Sequence, residues 1–467
     1  MEEIHQRLAS LGLAVPEILL PVPSIDLSKW AVIACDQFTW DRSYWEAAKN
    51  TVGTSPSTLN IILPEVYLNK PDRQERVRRI HRTMADYLGN PRAETGVFSP
   101  PQKAFVYIER SSPFHRIRRG FLAALDLEQY DWRPEARPLI RSTEGTVSER
   151  LPPRMDVRRG APLETPHIIV LIDDEAGALL PGIAERAKKD KPAYSASLMQ
   201  DAGAVSGWFL KEDAAQPFLA ESLTALAERA VRLSGASDPA PFLYAVGDGN
   251  HSLAAAKAVW DEFKTAHPGV KDHPCRWALV EIENIYDEGI NFEPIHRLIL
   301  GAEEDELLSL LSALPGSSSR PVSGRAELSA LVRDEDAPGN RLGLIAGARC
   351  TLIETRADGI ITDSLQPLLD EWLTSDGLHF QALPAADQSP AAGMVNAPRA
   401  IDYIHGEEEL FHLAGTQGRP SVGILLPPIK KSGLFQTVAQ RGPLPRKSFS
   451  MGEAVEKRFY LECRRLF

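Results

Sequence analysis

Cysteine is scarce. The four residues Cys35, Cys275, Cys350 and Cys463 are scattered through 467 positions and form no C-x-x-C pair. That spacing argues against a cysteine-built zinc site and against a disulfide framework, and points to a reduced, cytoplasmic protein. No apolar run approaches the length of a transmembrane helix. The acidic start, MEEIHQRLASLG, lacks the basic and then apolar pattern of a signal peptide. Excess positive charge is missing too. The formal net charge is -11, so the global basic footprint of a nucleic-acid binder is absent and nucleic acid is not an expected partner. There is no H-E-x-x-H or H-x-H pattern for a tightly held transition metal. There is also no P-loop and no dinucleotide fingerprint.

What is present is ordinary soluble-protein composition, with 43% hydrophobic and 25% charged residues. The length suits two to three domains. Strand-like and helix-like segments alternate, which predicts an α/β to α+β chain of mixed sheets with flanking helices. Residues 1–300 are expected to form a main α/β domain. Residues 301–467 are expected to form a C-terminal α+β region, and the Pro/Ser/Gly patch at 315–324 is the best linker candidate. Strands are expected at 31–35, 59–64, 103–110, 117–127, 167–174, 204–210 and 276–284. Helices are expected at 72–89 and 215–233. Ser43 with Glu46, and Ser450 with Glu453, have the spacing of capping boxes for two further helices. Residues 382–399 read as a loop.

One stretch concentrates the chemistry. In FLYAVGDGNHSLAAAKAVWDE, residues 242–262, an apolar strand runs into Asp-Gly-Asn-His-Ser and then into a small-residue helix. Gly247 and Gly249 permit close backbone approach. The free N–H groups of a helix start favour an anion. Asn250 and Ser252 can cap the helix or donate to phosphate oxygens, and Asp248 can take a proton or hold Mg²⁺. His251 can bind phosphate or act as acid or base. The alternative is a helix start whose cap happens to be polar. A second concentration is LIRSTEGTVSERLPPR, 139–154, where Arg141 and Arg150 could grip an anion and Glu144 could act as base or metal ligand. Its alternative is a charged surface loop. Asp36 and Glu65 each follow an apolar run, a common place for ligand-binding groups. FEPIHRL and the tail PRKSFSMGE are weaker candidates.

VIACDQFTW, TLNIILPEVYL, IRSTEGTVSERLPPR, PHIIVLIDD, AVGDGNHSLAAAK, FEPIHR, DYIHG and PRKSFSMGEAVEKRFYLE together resemble a widespread family of bacteria and archaea. It is catalogued as a domain of unknown function, family 1015, and filed beside ParB/SpoOJ-like proteins. GDGNHS is similar to the D-G-H-H-R or D-G-H-T-R signature of the nucleotide-binding ParB/sulfiredoxin superfamily, which includes a free-serine kinase. Asp248, Gly249 and His251 match that signature. Asn250 stands where a His is usual, and Ser252 where a basic residue is usual. The resemblance implies a ParB/sulfiredoxin-like element around 242–266. Gly249, Asn250, His251 and Ser252 would hold phosphates of ATP or another nucleotide, with Mg²⁺ on Asp248. The missing cation would come from Arg141, Arg150 or Lys257, and the base from Asp36, Glu65 or Glu144. The implied activity is a nucleotide-dependent phosphotransferase or nucleotide hydrolase acting on a small metabolite such as serine. The alternative is a non-catalytic nucleotide- or metabolite-binding regulator of ParB-like type. A homo-oligomer is compatible with either.

Overall fold

Short β-branched runs bury their side chains on both faces only inside a covered sheet, and the chain uses them this way. The structure is a computed structural model and describes residues 2–39, 41–89, 96–114, 117–210, 215–234, 241–374, 399–415 and 420–467. It divides into two units, Met1–Asn291 with Gly452–Phe467, and Phe292–Met451.

The first unit is built on a mixed sheet, nine-stranded among the described residues. In chain order its strands are β1 (Leu13–Ala14), β2 (Phe105–Ser111), β3 (Ile117–Asp126), β4 (Ile140–Ser142), β5 (Ile168–Ile172), β6 (Tyr194–Ser197), β7 (Ala204–Leu210), β8 (Tyr244–Asp248) and β9 (Trp277–Asn284). Their spatial order is β6-β7-β2-β3-β9-β5-β8-β4, with β1 on β3. β8 runs parallel to β4, and β9 parallel to β5. Every residue of β5, IIVLI, is buried. Helices α1 (Glu2–Ser10), α2 (Arg42–Val52), α3 (Arg73–Leu88), α4 (Leu151–Arg158), α5 (Leu179–Ala187), α6 (Ala215–Ser234) and α7 (Asn250–Ala266) surround it. α7 buries Leu253, Ala254, Ala255, Ala256, Val259 and Trp260. The alanines keep that face slim, so the helix sits close to its neighbours and packs against α4.

In the second unit the described residues form a sheet ordered Ser318–Val322, Arg349–Thr355, Asn340–Ala346, Ser421–Leu425, Phe292–Leu300, Ala400–His405, with Phe449–Met451 also on Phe292–Leu300. Its core joins Ile299, Leu342, Leu344, Ile353, Leu365, Leu369 and Ile424.

The expected mixed α/β architecture is present, and four local expectations are corrected. Residues 59–64 are not a strand. Ser57 caps a 3-10 turn at Thr58–Ile61, and the apolar run is buried by packing. The helix Arg42–Val52 is capped by Asp41, whose carboxylate accepts the Tyr44 N–H at 3.2 Å. The hydroxyl of Ser43 only donates to that same carboxylate. The linker candidate contains an edge strand, Ser318–Val322. Such a position tolerates its serines and Pro321, because one side of an edge makes no ladder bonds. No α-helix follows Ser450. Glu453 caps a three-residue 3-10 turn, and Phe459–Tyr460 then pairs with Val32–Ile33 and Arg464–Arg465 with Leu163–Glu164. Long-range pairing overrides the local cap there. The loop expected at 382–399 falls, but for its last residue, outside the described residues.

Candidate active site

The site forms where β8 hands over to α7. Between Val246 and Asp248 the strand advances two residues while β5 advances one, from Val170 to Ile169. Such a bulge at Gly247 re-aims the next side chain. Gly249 follows with φ of 79°, a left-handed conformation that strains any residue with a Cβ. A Cβ there would stand 3.1 Å from the His167 ring and 3.2 Å from the Ile168 backbone. Gly249 is also the N-cap, so no capping side chain covers the first turn of α7. That leaves the positive end of a 17-residue helix open to an anion.

Five other segments of the same unit converge on this point. The Lys457 ammonium, on a side chain only 7% exposed, lies 3.2 Å from Asp248 Oδ2. Asp248 Oδ1 accepts the Gly249 N–H at 3.0 Å. Asp36 Oδ2 is 3.4 Å from His167 Nε2, and the Gln37 amide donates to Asp36 Oδ1 at 2.8 Å. His167 Nδ1 bonds the Tyr460 hydroxyl, which also accepts the Cys35 N–H at 3.0 Å. The Glu65 N–H donates to the Cys35 carbonyl at 2.7 Å. Glu65 is in an ion pair with Arg154, which in turn donates to the Arg150 carbonyl at 2.8 Å. The Val147 N–H donates to His251 Nε2 at 3.2 Å. Two buried oxygens beside these groups, Thr146 Oγ1 and Asn250 Oδ1, find no hydrogen-bond partner among the described residues. Buried polar atoms ordinarily have one.

The electrostatics sort the groups into roles. Burial lowers the His251 imidazole, and Arg154 and Arg150 lower it further, to about 4. It is therefore neutral at pH 7. Because Nε2 accepts from Val147, the proton sits on Nδ1, which remains a donor. Burial would raise the Asp36 carboxyl, but the charge and hydrogen bond of His167, the Gln37 hydrogen bond and the Lys457 charge together outweigh it, so Asp36 lies well below the usual carboxylate range. Burial would lower His167, yet Asp36 and Cys35 hold it well above an ordinary imidazole. Asp36 and His167 are thus an ionised pair. Glu65 goes the other way. Burial raises its pKa, the Arg154 charge offsets this only in part, and the Asp36 charge adds to the rise.

Lys457 and Tyr460 hold their places because the tail is clamped from below. Arg110 on β2 donates to the backbone carbonyls of Val455, Glu456 and Lys457. Arg118 on β3 donates to Glu456 O at 2.6 Å and lies 2.9 Å from Glu283. Arg458 reaches Glu281 at 2.7 Å and also pairs with Glu462. Arg118 and Arg458 are buried in ion pairs and Arg110 is held by backbone carbonyls, as isolated buried charges would be prohibitive.

The structure thus brings together Asp36, Glu65, Asp248, Gly249, Asn250, His251 and Arg150. Ser252 lies in the first turn of α7. Glu144 is half-buried on the turn after β4. Arg141 lies opposite Ala245 in the β4–β8 pairing. Its guanidinium lies over the Phe242 ring at 4.8 Å and donates to the Pro138 carbonyl. Lys257 is turned to Asp261 at 3.0 Å. The cations beside the motif are instead Lys457, Arg154 and Arg150. Sequence reasoning missed His167, Lys457 and Tyr460. His167 had a signal, as a polar residue directly before a fully buried strand. Lys457 had none beyond a basic tail. Of the weaker candidates, His296 is a buried core residue accepting the Leu426 N–H at 3.1 Å, and burial lowers it to about 3.

Among the described residues no group of three or more His, Cys, Asp or Glu is placed to hold a metal ion. Both oxygens of Asp248 are engaged, so Mg²⁺ at Asp248 would have to replace Lys457 there. No described helix is long and apolar enough to cross a membrane.

A family model described as "Protein of unknown function (DUF1015)" matches residues 19–370. No curated protein matches. Among solved structures, the chain is similar to a conserved hypothetical protein from Pyrococcus furiosus (11% identity, TM-score 0.35, covering 74% of this chain and 94% of that one). It is also similar to a free serine kinase in complex with AMP (11%, TM-score 0.36, 74% and 92%). A third is SbnI with C-terminal truncation from Staphylococcus aureus (10%, TM-score 0.35, 71% and 82%). Likeness at that level assigns none of their residues or ligands to this chain.

Proposed function

We propose that this chain, which belongs to the DUF1015 family, is a nucleotide-dependent phosphotransferase acting on a small hydroxy compound. With water as acceptor, the same arrangement is a nucleotide hydrolase. The observation that carries the reading is the convergence of an uncapped helix start, the cations Lys457, Arg154 and Arg150, and Glu65, a carboxylate of raised pKa ion-paired with Arg154.

Phosphoryl transfer needs positioning and charge neutralisation more than covalent chemistry. The first-turn N–H groups of α7 from Asn250 to Ser252 would cradle phosphate oxygens. The Nδ1–H of neutral His251, the Thr146 hydroxyl and the Asn250 amide would add donors. Lys457 would neutralise charge, with Asp248 holding it in place. Of the three candidate bases, Glu65 fits best. Its carboxyl is shifted toward the range where a base accepts a proton near neutrality, whereas His167 holds Asp36 as a poor acceptor. Glu144 remains a candidate only by its place on the turn after β4. A nucleotide would bring Mg²⁺ with its phosphates, needing one or two carboxylates, and Asp248 could serve by exchanging Lys457 for the ion. Serine as acceptor rests on the superfamily resemblance.

The test is calorimetric titration with ATP, ADP and CTP, with and without Mg²⁺, for the wild type and His251→Ala. Micromolar binding that weakens tenfold or more in the variant, about 1.4 kcal/mol, supports the reading provided both proteins give the same circular dichroism melt. Absence of binding by all three nucleotides removes it. Binding with no ADP release in the presence of hydroxy amino acids favours the regulatory alternative.

A further inference from the structure

A cavity of about 550 Å³ opens beside α7, beyond its first turns. Its size is that of a small-molecule site. Lys257 and Asp261 line it from α7, and Lys257 lies two turns past Asn250, about 10 Å along the axis. The segment between Glu128 and Pro138 supplies the rest of the lining. Tyr130 ties that segment to the sheet. It bridges to Ile140 on β4, and its hydroxyl shares a 2.9 Å hydrogen bond with Ser142. The charges of the lining balance, with Glu128, Asp131 and Asp261 against Arg133, Arg137 and Lys257. Several are satisfied within the protein. Arg133 donates to both oxygens of Asp131, and Lys257 donates to Asp261 Oδ1 at 3.0 Å. Trp260 and Lys264 each donate to Glu128 Oε1 at 2.6 Å. Burial would raise the Glu128 carboxyl, but these bonds and the Lys257 charge bring it below its ordinary value. What stays open is specific. Arg137 Nη1 donates to the Pro134 and Ala136 carbonyls at 3.0 Å each, which fixes the guanidinium. The Nε–Nη2 edge of Arg137 makes no hydrogen bond among the described residues, nor do Glu128 Oε2 and Asp261 Oδ2.

We propose that this cavity binds a zwitterionic metabolite of amino-acid to dipeptide size, its carboxylate on Arg137 and its ammonium on Glu128 and Asp261. Such a site stands apart from the phosphate site at the start of α7 and does not depend on it. A guanidinium edge meets a carboxylate with two parallel bonds. An ammonium carries three donors and suits the oxygens left open on Glu128 and Asp261. A phosphate or other dianion would face the carboxylates of the lining, and a polyamine would face its cations. An uncharged polyol would bury the Arg137 edge and the carboxylates without a charged partner. A ligand with one charge of each sign keeps the balance.

The experiment uses the full chain. The standard amino acids and alanyl-alanine are screened singly by saturation-transfer NMR, with glycerol and glucose as uncharged controls, and each hit is titrated calorimetrically. At least one zwitterion should bind. Its methyl ester and its N-acetyl form should each bind about 10- to 100-fold more weakly, because each lacks one charged contact. Arg137→Gln should weaken the parent compound by a similar factor and leave the ester unaffected. Asp261→Asn should weaken the parent and leave the N-acetyl form unaffected. Should Arg137→Gln unfold, Asp261→Asn with the two derivatives decides. No hit in the panel overturns the proposal, as do equal affinities for parent and ester, or a polyol that binds more tightly than every zwitterion. A hit weakened by His251→Ala but not by Arg137→Gln lies in the phosphate site and also overturns it. ADP titration reads the other site separately. A protein that binds the zwitterion through Arg137 but no nucleotide keeps this cavity site and removes the phosphotransferase reading.

Discussion

Replacing Lys457 by Met removes one charge and keeps most of the apolar stem. At 3.2 Å from Asp248 Oδ2, the lost attraction is about 5 kcal/mol at an effective dielectric constant of 20. That is a gross figure. Breaking a buried pair from one side costs about 3–5 kcal/mol. The Asp248 side chain keeps 24% of its exposure and can regain water, so a stability loss of about 2 kcal/mol is expected. For an anion at the α7 start, the loss of one charge-assisted contact is worth about 1.5–3 kcal/mol. That is about 10- to 100-fold in Kd for ADP. Urea unfolding and calorimetric titration read the two numbers separately, and Lys457→Arg should restore most of the affinity. Asp248→Asn sharpens the test, because it frees the ammonium. Without Mg²⁺ this variant should bind ADP at least as well as wild type, and a loss confined to Mg²⁺ buffers would make Asp248 a metal ligand. A Met variant that loses stability but binds ADP like wild type would show Lys457 to be a tail anchor only, and the cation assignment would fall.

Three further outcomes are expected. His251 has its folded-state pKa depressed to about 4 from the ordinary 6.5 of an imidazole. The unfolded chain therefore takes up the proton first, and stability present above pH 6.5 is lost as pH falls toward 4. The full shift is worth about 3 kcal/mol, and discounting for the partly exposed ring leaves about 1–2. His251→Gln should flatten this part of the pH slope, and a His251 NMR titration midpoint near 6.5 would refute it. Gly249→Ala should cost about 1–2 kcal/mol from the left-handed backbone alone. It should also weaken phosphate binding by displacing His167, and wild-type values in both assays would contradict the close approach described here. Glu65→Gln keeps the shape but removes the base. Turnover should fall about 100-fold or more with ADP affinity near wild type, and unchanged turnover would assign the base elsewhere.

How much was legible in the sequence follows the reach of each interaction. The strand–bulge–helix unit at 242–262 is encoded locally, by an apolar run, two glycines and a small-residue helical face, and it folds as those residues dictate. The same holds for α3, whose end at Gly89 is a backbone requirement, with φ of 64°. Ser318–Val322 was misread because serine, proline and glycine mark turns locally, while an edge strand is decided by the partner it meets. The tail was misread for a related reason. A capping spacing at Ser450 and Glu453 is a weak local preference. It loses to the burial of Phe459, Tyr460 and Leu461, to the bonds of Arg110 and Arg118 to tail carbonyls, and to the Arg458–Glu281 ion pair.

The candidate site divides along the same line. The sequence by itself determined the anion-facing helix start, because helix ends and glycine conformations are properties of neighbouring residues. Ser252 supplies no positive charge, so any cation beside this helix start has to come from elsewhere in the chain. Which cations stand beside it, and which carboxylate has its pKa raised, only the tertiary structure decided. Lys457 reaches Asp248 across more than two hundred positions of the chain, and His167 and Tyr460 close around Asp36 across more than one hundred and more than four hundred. No local pattern carries such contacts. The burial that separates the ionised Asp36 from Glu65 exists only once those distant segments have packed.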